Sequence, residues 1–177
     1  MTYINPRDPR SPTPQLTPTE PLLFTGGCYC KKLSYTIRLS SKEEARTMVC
    51  HCTDCKKTFG SVFGVTVKVP VTSLRMTGGK VQVHKAENGS GSFSYRDFCN
   101  ECGSTICTYE VGGYLDAEVF MLMGADWAQE QAKDHFRQIA LGSLDEPSTF
   151  EPRGEFYCSQ RQVWLPEMPG KAQFWKQ

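Results

Sequence analysis

Apolar and polar residues alternate in short runs along most of this chain. Leu33-Ser34-Tyr35-Thr36-Ile37-Arg38-Leu39 puts every second residue on one side, the period of a half-buried strand. Residues 61–69 read as another strand, ended by Pro70. Residues 74–77 and 81–84 are short strands around a Gly78-Gly79 turn. Asn88-Gly89-Ser90-Gly91 is a further turn, and residues 93–98 alternate again. Residues 105–109 and 119–123 predict two more strands, and residues 129–137 a short helix. Residues 40–46 are polar, a loop or one helical turn, and from about Asp145 the chain is loop-rich, with residues 162–165 a docking segment. Short strands between Gly-rich turns predict a mostly β domain. There is no solenoid repeat and no phosphate-binding Gly-rich loop.

The apolar pattern also sets the boundaries. Residues 1–21 carry Pro6, Pro9, Pro12, Pro14, Pro18 and Pro21 among Ser, Thr and charge. So few apolar groups cannot offset the entropy of ordering, which predicts a flexible N-terminal arm. Residues 22–145 form the predicted domain, and residues 146–177 a loop-rich C-terminal extension packed on it. A chain of 177 residues can bury a real core, so small size alone does not demand a metal.

Charge changes the picture only by exclusion. The formal net charge is +1 with no dense basic block, which predicts no nucleic-acid partner. No run reaches the roughly 18 to 20 apolar residues of a membrane span, and the N-terminus has no signal-peptide core. The expectation is a cytoplasmic protein with reduced thiols.

Nine cysteines then require an account. The odd number forbids complete internal pairing, and clustered cysteines in a reducing compartment point to metal or catalysis. Cys28-x-Cys30 and Cys99-x-x-Cys102-Gly103 are two pairs. Residues two apart on a strand share a side, and a C-x-x-C turn brings two thiolates together. Together they make a closed, four-thiolate, structural zinc set. Cys50-His51-Cys52-Thr53-Asp54-Cys55-Lys56-Lys57 supplies three more thiolates. Three protein ligands with a vacant fourth position are the signature of a catalytic zinc. A fourth ligand from Cys107, Cys158, His51, His84 or His135 would close that site instead. Cys107 reads as a buried strand residue, Cys158 as a partly buried free thiol, and His84 and His135 as ordinary histidines. His51 lies between two ligands and should point away from the metal. Lys56 and Lys57 can offset the negative charge of a trithiolate zinc or attract a carboxylate. Asp54 is a candidate proton carrier, set against a plain turn role.

These motifs, with their flanks Gly27-Cys28-Tyr29-Cys30, Cys55-Lys56-Lys57-Thr58-Phe59-Gly60-Ser61 and Phe98-Cys99-Asn100-Glu101-Cys102-Gly103-Ser104, carry a resemblance. Over about residues 24 to 125 the chain resembles the glutathione-dependent formaldehyde-activating enzyme family, also called the centromere protein V family. The resemblance implies a β-tent of twisted antiparallel sheets with zinc knuckles, and two zinc ions per chain. Cys28, Cys30, Cys99 and Cys102 match the structural site, and Cys50, Cys52 and Cys55 the catalytic one. It implies a carbon–sulfur lyase acting on a small thiol/aldehyde adduct, such as a glutathione conjugate. The same scaffold also suits a lyase or tailoring enzyme on another small metabolite, or a non-catalytic zinc-stabilised binding module. Three departures stand out. Lys31 replaces the usual Gly after the second cysteine, so the turn needs another backbone solution or Lys31 must bear the strain of a positive φ. Lys56 stands where Arg is frequent, losing a planar bidentate contact. Asp126-Trp127 replaces Thr-Leu-Asp after Gly124-Ala125.

Overall fold

The computed structural model describes residues 20–87, 93–111 and 136–175. Two sheets share one core. The small sheet holds β1 (Leu22–Gly27), β2 (Ser34–Leu39) and β5 (Leu74–Gly78), in the order β1-β2-β5, all antiparallel. The large one runs β11-β10-β3-β4-β9-β8-β7-β6. Its strands are β3 (Arg46–Cys50), β4 (Gly64–Pro70), β6 (Val81–Glu87), β7 (Phe93–Cys99), β8 (Thr105–Val111), β9 (Phe136–Ala140), β10 (Gly154–Phe156) and β11 (Ala172–Phe174). Pairing is antiparallel except where β10 runs parallel to β3 and to β11. The protein is therefore mostly β, as its alternation predicts.

Alternation builds the core directly. In β2, Tyr35, Ile37 and Leu39 are buried while Arg38 is exposed. They meet Val67 and Val69 of β4, Ile106 and Cys107 of β8, and Ile139 of β9. Each such side chain contributes about 1.5–3 kcal/mol of burial. The Tyr35 hydroxyl keeps a partner in Ser143 Oγ at 2.7 Å, so its burial leaves no orphan.

Some expectations are corrected. Residues 74–77 and 81–84 do form strands around Gly79, which takes φ 78, but β5 and β6 separate into different sheets. Phe136 and Arg137 are not helical: they open β9, which pairs with β4 and buries Ile139 and Ala140. The rest of that predicted helix, the strand at 119–123, the turn at 88–91 and the bulk of the N-terminal arm lie outside the described residues. The stretch after Asp145 contains two strands as well as loops. Each spans three residues, too short to display a period. Residues 46–50 form β3, with Thr47 and Val49 buried. Residues 53–59 form a helix, α1 (Thr53–Phe59), that alternation does not reveal.

Candidate metal centres

The four-thiol group sits where the two sheets are joined. β1 ends at Gly27 and the chain turns through Cys28 and Cys30, while Cys99 closes β7 and Cys102 follows in the turn to β8. Each turn is fastened by backbone bonds. Cys28 N donates to Leu33 O at 3.0 Å and Lys31 N to Cys28 O at 3.0 Å. Across the gap, Cys99 N donates to Ser104 O at 3.0 Å and Gly103 N to Cys99 O at 2.9 Å. The left-handed position is Gly103 in one turn (φ 72) and Lys31 in the other (φ 62), so of the two solutions open to this turn Lys31 takes the positive φ. Leu33 N also donates to Cys28 Sγ at 3.2 Å. Tyr29 N donates to Ser104 Oγ at 3.1 Å, tying one turn to the other.

The thiols converge. Cys28 Sγ lies 3.4 Å from Cys30 Sγ, which lies 3.7 Å from Cys99 Sγ, and all four sulfurs, Cys102 included, fall within 4.8 Å of one another. A tetrahedron with zinc–sulfur bonds of about 2.3 Å has sulfur–sulfur edges of about 3.8 Å. The protons are shared unevenly. Cys102 is pulled down to about 5 by the Ser104 hydroxyl and amide. Cys30 is pulled down by the Lys32 amide, but a proton shared with Cys28, burial, and its other thiol neighbours push it up to about 12.

The three-thiol group lies at the junction of β3 and α1. Cys50 is the last residue of β3. Cys52 is extended (φ −65, ψ 158) and caps α1, its sulfur accepting from Cys55 N at 3.3 Å. That bond folds Cys55 back toward Cys52, and Cys50 Sγ lies 3.4 Å from Cys52 Sγ. All three sulfurs fall within 4.8 Å. α1 can lie close against β4 because residue 64 is glycine: a Cβ there would sit 2.6 Å from the Phe59 ring and 3.1 Å from Cys55 Cβ. Here too the protons are unequal. Cys50 is lowered to about 6, first by the Cys55 S–H, against burial. Cys55 is driven far up, because it donates to Cys50, is buried, and faces the Cys50 and Cys52 charges. Cys52 is raised, chiefly by burial. Without a cation the set holds one ready thiolate and resists more. A divalent cation supplies the missing charge, so both donor sets fit a thiophilic metal.

Among the described residues no fourth donor joins the second group. Cys107 is a buried strand residue whose thiol donates to Asp97 Oδ2 at 3.5 Å. Cys158 is buried, its thiol near Glu155 O at 3.3 Å and Gln173 Oε1 at 3.2 Å. His84 is exposed on β6, and His135 lies outside the described residues. His51 turns away from the thiols, as its position predicts, and is wholly buried with Nε2 2.7 Å from Glu155 Oε2. Its Nδ1 has no hydrogen-bond partner.

The C-terminal residues complete the surroundings, and these are what sequence reasoning missed. Glu155 is 1 % exposed and accepts four contacts: from His51, from Arg161 Nη1 at 3.1 Å, from Gln173 Nε2 at 3.2 Å and from Met168 N at 2.5 Å. Burial alone would raise its carboxyl, but the Met168 amide, His51, Gln173 and the Arg161 charge together lower it. His51 N donates to Phe156 O at 3.0 Å. Lys56 Nζ donates to Gln160 O at 2.6 Å, and Thr53 Oγ1 lies 3.4 Å from Gln160 Oε1. Lys56 is thus engaged in fastening the extension to α1. Asp54 and Lys57 are exposed on α1. A lone Glu between Gly154 and Phe156 carries no period or motif, so nothing in the sequence marks it.

One shallow hollow is lined by Leu23, Phe24, Leu144 and Phe150, another by Lys42, Thr47, Arg153 and Lys171, and neither contains a thiol or a residue of α1. Among the described residues, no helix is long and apolar enough to cross a membrane.

Comparison with known proteins agrees with the thiol pattern. Two fungal proteins, both provisionally named as glutathione-dependent formaldehyde-activating enzymes, align with part of the chain. The Phaeosphaeria nodorum protein is 32% identical over 83 residues, 45% of this chain and 42% of its own length. The Aspergillus terreus protein is 28% identical over 89 residues, 50% of this chain and 46% of its own. The match thus spans less than half the length of either relative. A solved Rhodobacter sphaeroides protein superposes with a TM-score of 0.43 at 15% identity, over 68% of this chain and 87% of its own. The family model described as "Glutathione-dependent formaldehyde-activating enzyme" matches residues 23–125, which include all seven clustered cysteines. With more than half of its 177 residues matched, the chain belongs to the glutathione-dependent formaldehyde-activating enzyme family.

Proposed function

We propose that this protein is a zinc enzyme that joins a small thiol to an aldehyde, or cleaves the adduct, with glutathione and formaldehyde as the leading pair. The observation that carries this reading is the contrast between the thiol groups: four converge at one place, and only three, among the described residues, at the other. Cys28, Cys30, Cys99 and Cys102 would hold a structural zinc, and Cys50, Cys52 and Cys55 a second one with a position to spare. Zinc held by the three thiols would supply Lewis acidity, moderated by their donated charge. The family membership, and the names of the two fungal relatives, support glutathione and formaldehyde as first substrates to test.

In the forward direction the substrate thiol loses its proton and its sulfur attacks the aldehyde carbon. A C–S bond forms, the carbonyl π pair moves to oxygen, and that oxygen takes up a proton to give an S-hydroxymethyl adduct. The reverse is a carbon–sulfur lyase step. The chain's own part is geometric. The Cys55 amide orients Cys52, Gly64 lets α1 approach, and the Glu155–His51 pair fixes the turn between Cys50 and Cys52. Residues 1–21 are read as an arm, 22–145 as the catalytic domain and 146–177 as its support. Exchange NMR of glutathione with formaldehyde tests the reading. The metal-loaded protein should accelerate exchange, and metal analysis should find two zincs per chain. No acceleration, or a single metal, would contradict it.

A further inference from the structure

Cys50, Phe156 and Phe174 stand in one row across the large sheet. Cys50 of β3 is in register with Phe156 of β10, and Phe156 with Phe174 of β11. Residues in register on neighbouring strands project to the same face, with the strands about 4.8 Å apart. The row two residues earlier fixes which face this is. A Cβ on Gly154 would lie 3.1 Å from Met48 Cε and 3.2 Å from Ala172 Cβ, so Met48, Gly154 and Ala172 share a face. Cys50, Phe156 and Phe174 each lie two residues further along, on that same face. The opposite face carries Val49 and Glu155, both buried.

The helix α1 lies on this face too. Gly64 of β4 is in register with Cys50, and the place of its missing Cβ faces the Phe59 ring and Cys55. The three-thiol group is therefore walled by α1 on the β4 side. On the other side of Cys50 the sheet continues as Phe156 and Phe174, whose rings stack with centroids 4.9 Å apart and planes 25° from parallel. Phe156 is half-buried, and Phe174, on the last strand of the sheet among the described residues, is 42 % exposed. A cross-strand aromatic pair steadies a sheet, but that role does not call for an open ring, and sheet edges are more often blunted with charge. Met48, Gly154, Phe156, Ala172 and Phe174 present no charged side chain and no N–H or O–H donor. Lys56, the cation that follows Cys55, is engaged with Gln160 O at 2.6 Å. The surface adjoining Cys50 thus suits an apolar ring better than a carboxylate.

We propose that Phe156 and Phe174 form an aryl-binding shelf of the three-thiol site, and that the substrate thiol selected there carries an aromatic ring. This deepens the proposed function and rests on it for thiol binding at Cys50, Cys52 and Cys55. Two strand spacings place Phe174 about 10 Å from Cys50, with Phe156 half as far. A ring joined to sulfur through two carbons spans that nearer distance and lies against the stacked pair. The shelf is continuous with the thiol group, so its occupant is part of the molecule bound there. Both phenylalanines lie outside the matched residues 23–125. The segment shared with the family would hold the metal, and the C-terminal extension would choose the substrate.

The test compares 2-phenylethanethiol with ethanethiol, which differ only by the ring. Binding of each to the metal-loaded full chain is followed by calorimetry, and by the charge-transfer bands of the cobalt-substituted protein. Wild type should prefer 2-phenylethanethiol by about tenfold, the worth of half-burying one aromatic side chain. Phe174→Ala should cut that preference to about threefold or less, with metal content and ethanethiol affinity unchanged. Phe174→Tyr keeps a ring and should retain the preference, which separates the shelf from a general effect on β11. Equal affinities in wild type, a preference that survives Phe174→Ala intact, or binding of neither thiol overturns the proposal. So does a dimer in sedimentation that Phe174→Ala dissociates, because a second copy would then cover the shelf. The ratio uses neither glutathione nor turnover. A failure of glutathione–formaldehyde exchange would therefore sink those two substrates and leave this ratio to decide the shelf.

Discussion

Glu155 is the residue whose removal should tell most about how the site is held. Its carboxylate is buried and meets His51 Nε2 at 2.7 Å, Arg161 Nη1 at 3.1 Å, Met168 N at 2.5 Å and Gln173 Nε2 at 3.2 Å. Glu155→Leu removes every acceptor at once. It strands a buried histidine nitrogen, an amide and a largely buried guanidinium. Breaking a buried charge pair from one side costs about 3–5 kcal/mol. Glu155→Gln retains one oxygen but turns an NH2 toward two of the donors, and should cost about 2–3 kcal/mol. Urea unfolding of the metal-loaded chain measures both. The pH dependence gives a second check with a definite sign. The folded carboxyl lies below its unfolded value of about 4.3, so its contribution is complete above that pH and is lost as pH falls through the folded value. The stability gap between wild type and Glu155→Gln should therefore be flat above about pH 5 and narrow in more acid solution. The local consequence is faster metal loss from the Cys50–Cys52 turn, read as release to a chelator. A cost under about 1 kcal/mol with unchanged release would refute the view that Glu155 fastens the site.

Four further outcomes follow from the same geometry. Cys28→Ser and Cys102→Ser should leave the chain unfolded by circular dichroism, because a structural zinc contributes on the order of 10 kcal/mol. Cys52→Ala should stay folded and lose thiol–aldehyde activity, and intact turnover would remove the role assigned to it. Gly64→Ala would place a Cβ 2.6 Å from the Phe59 ring, so α1 must shift. The expected cost is about 1–3 kcal/mol with weakened metal retention at the three-thiol group. Lys31→Gly relieves a positive φ of 62 and should raise stability by about 0.5–1 kcal/mol in urea titration. A loss instead would mean the Lys31 side chain has a role of its own.

What could be read from the sequence follows the length of each signal. β2 alternates over six residues, and β7 holds the period from Phe93 to Arg96 before the irregularity at Asp97 and Phe98, so both were legible. β10 and β11 have three residues each and pair in parallel beside β3, so neither period nor turn announces them. α1 was hidden by its own chemistry: a run chosen for thiols and charge shows no apolar stripe. The thiol groups were legible because ligand spacing is a local property. Glu155 and Gly64 act through contacts across roughly a hundred residues, or through space that only packing reveals. Phe136 and Arg137, the described end of the predicted helix, show the converse error, since pairing with β4 captures them whatever their local preference.

The two thiol groups differ in what a metal can do for the fold. Cys30 and Cys99 are 69 residues apart, so a metal between them closes a long loop that is open in the unfolded chain. Cys50, Cys52 and Cys55 lie within six residues. An unfolded segment that short can still gather three thiolates around an ion. Binding to the unfolded chain cancels the stabilisation to the extent that its affinity approaches that of the folded site. Metal at the three-thiol group should therefore add little to folding free energy, and metal at the four-thiol group a great deal. Stepwise chelation separates the two. The first metal released should take activity with it and move the urea midpoint only slightly, and the second should unfold the chain. If release of the first metal already unfolds it, the three-thiol group is a structural element. The backbone donors, Gly64 and the Glu155 clasp would then be supports for folding, with no part in presenting an open coordination position.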